Sequence, residues 1–400
     1  GFDPNKGNVA RANVTCFVCN STIPSKDVKK QFVNGNSYET MLCVISSQKG
    51  TRGKIYTVPT LQDLDSFSSA EKYLKKILSF GEKSNIDLIP NEPLPELYSH
   101  RGSGGVLRLY GFKTYGDLFN KRQLAVLVLI VKKIKECIKL IEDKENSKQD
   151  SIVISTYLAI VLDSLLNYYC KLCPLNVTGG RGVANALGTW NLGMKYGYAE
   201  SNPLNLVAAS WKKISEKILT YLQIDFHSDA NIEIKMASAT SLPFPNEYFD
   251  GVFTDPPYYD NIPYANLSDF FYVWLKRSIG ELYPDIFSTL LTPKSDEIIS
   301  ELQYSADKKK SEGNKALKNS KYFEETLSKA FQEIFRVLKN DKIAYIVYAH
   351  KSTLGWETMI NSLLNSGLIV TAAWPINTEM KGRIQSQGTA ALASSIYMVC

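Results

Sequence analysis

The sequence predicts an α/β fold that carries a helical insert and a small cysteine-containing β segment. Three observations lead there. Beyond about residue 230, short apolar runs alternate with amphipathic helical patterns, as in a sheet packed with helices. Residues 101–225 are dominated by apolar residues at helical spacing. Residues 1–60 read as short strands and turns around Cys16-Phe17-Val18-Cys19-Asn20. The expected divisions are 1–60 for this β-rich segment, 61–100 for a connector with Pro90, Pro93 and Pro95, 101–225 for the insert, and 226–400 for the α/β domain.

Each element has its own signal. Ala70–Ser79 shows a short helix pattern, and a Gly-rich turn follows at Gly102–Gly105. Gly116–Leu140 is a helix candidate that Asp117 can cap, with Leu118, Leu124, Val128, Val131 and Ile134 on one stripe. Ile152–Cys170, with Tyr157, Ile160, Val161 and Leu165 at helical spacing, is a second helix, and Asn202–Leu222 is a third. Ile232, Ile234 and Met236 alternate as in a strand. Val252-Phe253-Thr254 is a short buried strand, and Leu267–Ile279 and Tyr322–Leu338 are helices. Ile343–Tyr348, Leu368–Trp374 and Ser395–Val399 are strands, with a helix at Trp356–Leu364. No helical period joins the last two strands, so they form an antiparallel hairpin at the sheet edge.

Composition excludes several classes. The chain has 400 residues, 44% apolar and 22% charged, so it is neither disordered nor collagen-like. Its 46 basic and 40 acidic residues give +6, which permits a polyanionic partner without demanding one. No apolar run reaches the roughly 20 residues that span a bilayer; Leu124–Ile134 breaks into lysines. Seven cysteines without regular spacing, and no signal pattern at Gly1–Cys16, fit a reducing cytoplasmic compartment.

The sharpest feature is Thr254-Asp255-Pro256-Pro257-Tyr258. A given tetrapeptide occurs by chance in such a chain with odds on the order of two in a thousand. It lies between a strand and a helix, at the carboxyl end of the strand, where open α/β sheets bind ligands. The residue types suit methyl transfer to an exocyclic amino nitrogen. The lone pair of such a nitrogen is delocalised into its ring and attacks poorly. Two acceptors aimed at its N–H groups favour the pyramidal geometry and stabilise developing positive charge. Asp255 supplies a carboxylate. Pro256 supplies a carbonyl on a backbone whose φ the ring fixes. Tyr258 offers a face for a flipped base.

Residues 236–261 resemble motifs III and IV of the amino-methyltransferases that use S-adenosylmethionine. The chain is more closely similar to the adenine-specific DNA methylase family that contains a zinc ribbon. The likeness runs through Asp255–Leu275, Tyr110–Leu124, Tyr198–Leu204, and His350–Trp356 with Trp374–Val399. It implies a partial Rossmann-like class I methyltransferase sheet, with 226–400 as the target-facing half of the catalytic domain. It also implies methylation of adenine N6 in DNA, since family habit places serine at the Asp255 position for cytosine. By the same likeness Asp255, Pro256, Pro257 and Tyr258 are catalytic, and Tyr259, Asp260 and Asn261 shape the target pocket. Ser238 and Phe244 are the cofactor contacts, although Ser238 stands where the family tends to have an acid. A restriction or phage-defence protein would be the protein partner, and no membrane is implied. The family's glycine-rich cofactor turn has no counterpart: Gly179–Gly182 and Gly102–Gly105 follow no clear strand. The chain is therefore expected to be truncated at its N-terminus.

Cys16 and Cys19 have zinc-knuckle spacing. Three readings stay open: half a ribbon, a site completed by Cys170 and Cys173, or no metal. His100, His227 and His350 have no metal or triad partner at useful spacing; His350 closes a strand and is read as structural or as lying near the active-site rim. Lys308, Lys309, Lys310, Lys315, Lys318 and Lys321 form the densest basic stretch, read as a solvated face or as phosphate contacts. Lys121, Arg122, Lys381 and Arg383 are weaker candidates for the same role. The rival functions are an amino-methyltransferase acting on cytosine N4 or RNA, and an inactive nucleic-acid-binding module. Without a cofactor turn, residues 1–400 alone should be catalytically silent. Isothermal calorimetry should show weak or no S-adenosylmethionine binding, and tight binding would restore Gly179–Gly182 as a cofactor loop.

Overall fold

A computed structural model describes residues 7–10, 12–48, 53–79, 87–97, 102–145, 147–176, 182–205, 209–224, 232–259, 262–300, 318–350, 352–376 and 395–400. The chain forms two units. The first comprises Gly1–Leu97, Gly102–Asp225 and Ala265–Thr292; the second comprises Tyr98–Arg101, Phe226–Tyr264 and Pro293–Cys400.

The first unit opens with a three-stranded antiparallel sheet, β1 (Val9–Ala10), β2 (Asn13–Thr15) and β3 (Thr22–Ile23), followed by α1 (Ser25–Val33). A hairpin, β4 (Val44–Ser46) and β5 (Ile55–Thr57), precedes α2 (Leu61–Ser79), which is longer than its sequence pattern suggests. The helices α3 (Lys121–Glu145), α4 (Lys148–Leu166) and α5 (Trp211–Leu222) follow, with the short pair β6 (Leu175–Asn176) and β7 (Gly182–Val183) between the last two. The expected stripe of Leu118, Leu124, Val128, Val131 and Ile134 is buried.

Two local expectations are corrected. Asp117 does not cap α3; it closes a capping box with Thr114 on a 3-10 turn, Tyr115–Leu118. The α3 cap is the reciprocal pair Asn120 and Gln123, each side chain accepting from the other's backbone N–H at 2.9 and 2.8 Å. This is the capping-box arrangement. On α4, Val161 and Leu165 are buried but Tyr157 and Ile160 are exposed, and Cys170 lies beyond the helix. By length and composition α4 could cross a membrane; here it packs against α3 and α5. Its Asp163 is half-buried with Oδ1 unpartnered, and burial pushes this carboxyl well above its ordinary value.

The helix α6 (Tyr264–Ile279) was expected within the 226–400 domain, yet from Ala265 it belongs to the first unit. Its packing explains this. Phe270 and Trp274 are fully buried, stacked on and edge-on to Phe119 at 5.9 and 5.3 Å. Arg277 is also buried, pairing with Glu92 at 2.8 Å and donating to the carbonyls of Asp87 and Val273. A buried guanidinium requires such saturation by acceptors.

The second unit is a four-stranded mixed sheet in the order β10-β11-β9-β8. These are β8 (Phe249–Thr254), β9 (Leu338–Tyr348), β10 (Ala372–Ile376) and β11 (Ser395–Val399). β8 and β9 are parallel, and β11 lies antiparallel between β9 and β10. The expected hairpin is therefore present. Two helices, α7 (Ser320–Val337) and α8 (Thr353–Leu364), accompany the sheet. Phe323, Leu327, Phe331 and Ile334 recur every three or four residues on α7 and pack in one core with Ala344, Ile346, Tyr348, Met359 and Leu363.

Two strand expectations fail. Ile232, Ile234 and Met236 are exposed and form no strand. Alternation alone leaves backbone groups unpaired, and no described strand lies beside this segment. β8 is not a buried strand either. It lies at the end of the sheet order, and Phe253 is 76% exposed, stacked on Tyr345 at 4.4 Å.

The loop before β8 is latched to α7. Glu333 accepts from the Leu242 N–H at 2.7 Å and pairs with Arg336 at 2.8 Å. Arg336 in turn donates to the carbonyls of Leu242 and Phe244. Arg336, then the Leu242 N–H, hold the Glu333 carboxyl down at about 2. Its stabilising contribution is therefore complete above the ordinary 4.5 and lost as pH falls towards about 2. Thermal unfolding of the wild type should lose stability through this window. Glu333→Gln should be less stable at neutral pH and show a flatter acid limb.

Candidate active site

β8 delivers Asp255 to the carboxyl end of the sheet, exposed to solvent. Pro256 and Pro257 have no N–H, so these two residues of the turn offer only carbonyl acceptors. The Pro257 carbonyl is occupied by the Tyr259 N–H at 3.2 Å. The Pro256 carbonyl accepts no hydrogen bond from the described residues. Asp255 Oδ1 accepts the Tyr258 hydroxyl at 2.6 Å, which leaves Oδ2 without a protein donor among those residues. Burial, and then the bond to Asp255, raise the Tyr258 phenol above its ordinary value, so it remains a donor at physiological pH.

The turn is fixed from below. Tyr259 takes φ = 48°, a left-handed conformation that costs a non-glycine residue roughly 1–3 kcal/mol. Its ring is buried edge-on against Phe323 and His350 at 5.3 and 5.5 Å. Its carbonyl accepts the Ser300 N–H at 2.9 Å. Tyr258 stands edge-on to Tyr348 at 5.3 Å, which leaves its ring half-buried. Asp260 and Asn261 lie outside the described residues.

His350, read from the sequence as structural or near the rim, is a structural centre. Its Nδ1 accepts the Ser352 N–H at 3.1 Å and meets Ser352 Oγ at 3.0 Å. An accepting Nδ1 places the neutral ring's proton on Nε2. Its carbonyl accepts Trp356 Nε1–H at 3.0 Å. Tyr348, edge-on to Trp356 at 5.1 Å, donates to the Gly355 carbonyl at 3.1 Å. Sequence reading missed Tyr348, Gly355 and Tyr264. A glycine inside a helix is disfavoured and signals a close approach; here a Cβ on Gly355 would fall on the His350 ring. Tyr264 is about half exposed, and burial followed by the Asp255 charge raises its phenol.

The proposed cofactor contacts are engaged locally. Ser238 Oγ meets Thr240 Oγ1 at 2.9 Å. Phe244 stacks on Tyr248 at 5.4 Å with Lys235 Nζ 4.8 Å from its ring centre. Cys16 and Cys19 flank a tight turn between β2 and β3, with Asn20 at φ = 56° donating to the Cys16 carbonyl. Hydrogen bonds from Ser21 and then Cys16 lower the Cys19 thiol. Cys170 and Cys173 are buried, 3.5 Å apart, and burial raises the Cys170 thiol. Among the described residues no three metal-ligating side chains gather, so the four-cysteine site is not assembled.

Several basic candidates are also engaged. Lys318 donates to the Lys294 and Glu297 carbonyls, and Lys321 faces Glu325 at 3.7 Å. Arg122 is clamped by Glu200 at 2.6 and 3.0 Å. Lys308, Lys309, Lys310, Lys315, Lys381, Arg383, His100, His227 and Gly179–Arg181 fall outside the described residues. No family model, curated protein or solved structure matches the chain.

Gly355→Ala should destabilise the second unit by about 1–3 kcal/mol through overpacking against His350. Urea unfolding followed by tryptophan fluorescence measures this, and a wild-type midpoint would contradict the close packing.

Proposed function

We propose that this chain holds the target-amine side of an S-adenosylmethionine-dependent methyltransferase that modifies adenine N6 in DNA. The observation that carries this reading is the pair of open acceptors in the turn at the end of β8. Asp255 Oδ2 and the Pro256 carbonyl are open there, while Tyr258 holds Oδ1. An aromatic amine entering this turn donates its two N–H groups to the two open acceptors. Its nitrogen is drawn towards the pyramidal geometry, and the carboxylate stabilises the charge that grows as the bond forms. The hydrogen bond from Tyr258 fixes the rotamer of Asp255, and the Tyr258 ring offers a surface for the extruded base. Two parallel strands followed by an antiparallel pair support a partial Rossmann-like methyltransferase sheet.

S-adenosylmethionine would supply the methyl group. Ser238 and Phe244 do not form a cradle for it, since both are engaged with neighbours, and no described strand runs through a glycine-rich turn into a helix. Cys16 and Cys19 would provide two thiolates of a zinc site, half of a tetrahedral set.

The test is methyl incorporation into duplex DNA by the protein, read as modified nucleosides after digestion. N6-methyl-2′-deoxyadenosine is the expected product; N4-methyl-2′-deoxycytidine would transfer the assignment to the rival base. Asp255→Ala should lower the rate at least about 100-fold with DNA affinity retained. Tyr258→Ala should weaken base capture by about 1–3 kcal/mol, and Tyr258→Phe much less, because the ring face remains.

A further inference from the structure

The first unit contains a cleft of about 3050 Å³ walled by the segment before β4, the start of α3 and α5. We infer that this cleft binds single-stranded nucleic acid, through lysine contacts to phosphates and tyrosine stacking on unpaired bases. The inference is independent of the methyl-transfer reading, which concerns the second unit.

Charge accounting within the cleft supports it. Four acids line the cleft, and each is already engaged. Glu39 accepts from Lys171 at 3.0 Å and from Tyr198 at 2.7 Å. Glu200 holds Arg122 and Asn120. Asp63 caps Thr60, and Asp117 accepts the Lys113 and Thr114 N–H groups. Of the lining cations, Arg122, Lys171 and Lys213 are paired. Lys54, Lys121, Lys195 and Lys217 meet no acid among the described residues. Seven cations and four acids line the cleft, a net of +3, and four of its lysines have no acid partner among the described residues, an arrangement that attracts a polyanion.

Aromatic faces lie among those charges. Tyr196 is 43% exposed, and its ring is anchored edge-on to Tyr110 at 5.8 Å. Tyr38, almost fully exposed, also lines the cleft. Paired bases in a duplex present no free face for such rings. Unpaired bases do, and alternating lysines and aromatics form the usual platform for a single strand.

Fluorescence anisotropy with the 1–400 chain and labelled single strands of one mixed sequence, as DNA and as RNA, tests the inference; the tighter arm identifies the source. The variant K54Q/K121Q/K195Q/K217Q should lose at least tenfold in affinity. The salt slope should fall by about 3, from ~0.7 for each of the lost phosphate contacts. K26Q/K30Q/K72Q/K76Q, the same charge change outside the cleft, should stay within twofold of wild type. Tyr196→Ala, and the solvent-exposed Tyr38→Ala, should each weaken binding at least fivefold without altering the slope. Asp255→Ala should leave binding unchanged. Equal loss in both lysine variants would overturn the inference, as would tighter binding of duplex that ignores both tyrosine substitutions.

Discussion

The parallel pairing of β8 with β9 governs the second unit. Parallel neighbours end on the same side of a sheet, so the residues leaving both strands share one rim. Asp255–Tyr259 follows β8 and His350–Trp356 follows β9. Tyr259 can hold its left-handed backbone because His350 and Phe323 enclose its ring. His350 is held in turn by the Ser352 cap of α8. Were β9 antiparallel to β8, the two loops would lie at opposite ends, and the acceptor turn would lose its support.

The turn combines rigidity with unsatisfied acceptors. Two prolines remove the donors that would otherwise occupy Asp255 and the Pro256 carbonyl, and they narrow the backbone's freedom. The Tyr258 hydroxyl engages one carboxylate oxygen and leaves the other open. Preorganised acceptors of this kind need little rearrangement when charge develops beside them.

Local chemistry was legible in the sequence. The Asp255–Tyr258 motif, the α3 stripe and the β10–β11 hairpin depend on residues close in the chain. Features set by distant partners were not. Nothing near Arg122 announces that both carboxylate oxygens of Glu200 accept from its Nε and Nη2. Alternation at Ile232–Met236 resembles a strand, but a strand also needs a neighbour. α6 was placed with the strand before it, whereas Trp274 and Arg277 pack with Phe119 and Glu92, far back in the chain. The packing of His350 was not legible because its contact with Tyr259 comes from a distant segment.

The placement of α6 also determines how the polypeptide is threaded. The chain completes β8, supplies α6 to the other unit, and returns to form β9. Gly251 pairs with Ile343, so 343 − 251 = 92 positions separate the partners of one parallel contact. Such a closure is entropically demanding and slow. Neither unit is one uninterrupted stretch of polypeptide, and no single cleavage separates them intact. Excising residues 226–400 would remove Phe270 and Trp274 from the core of the first unit and expose both on the excised piece. The units are thus bound to a common fate in synthesis and degradation, through the route of the backbone itself.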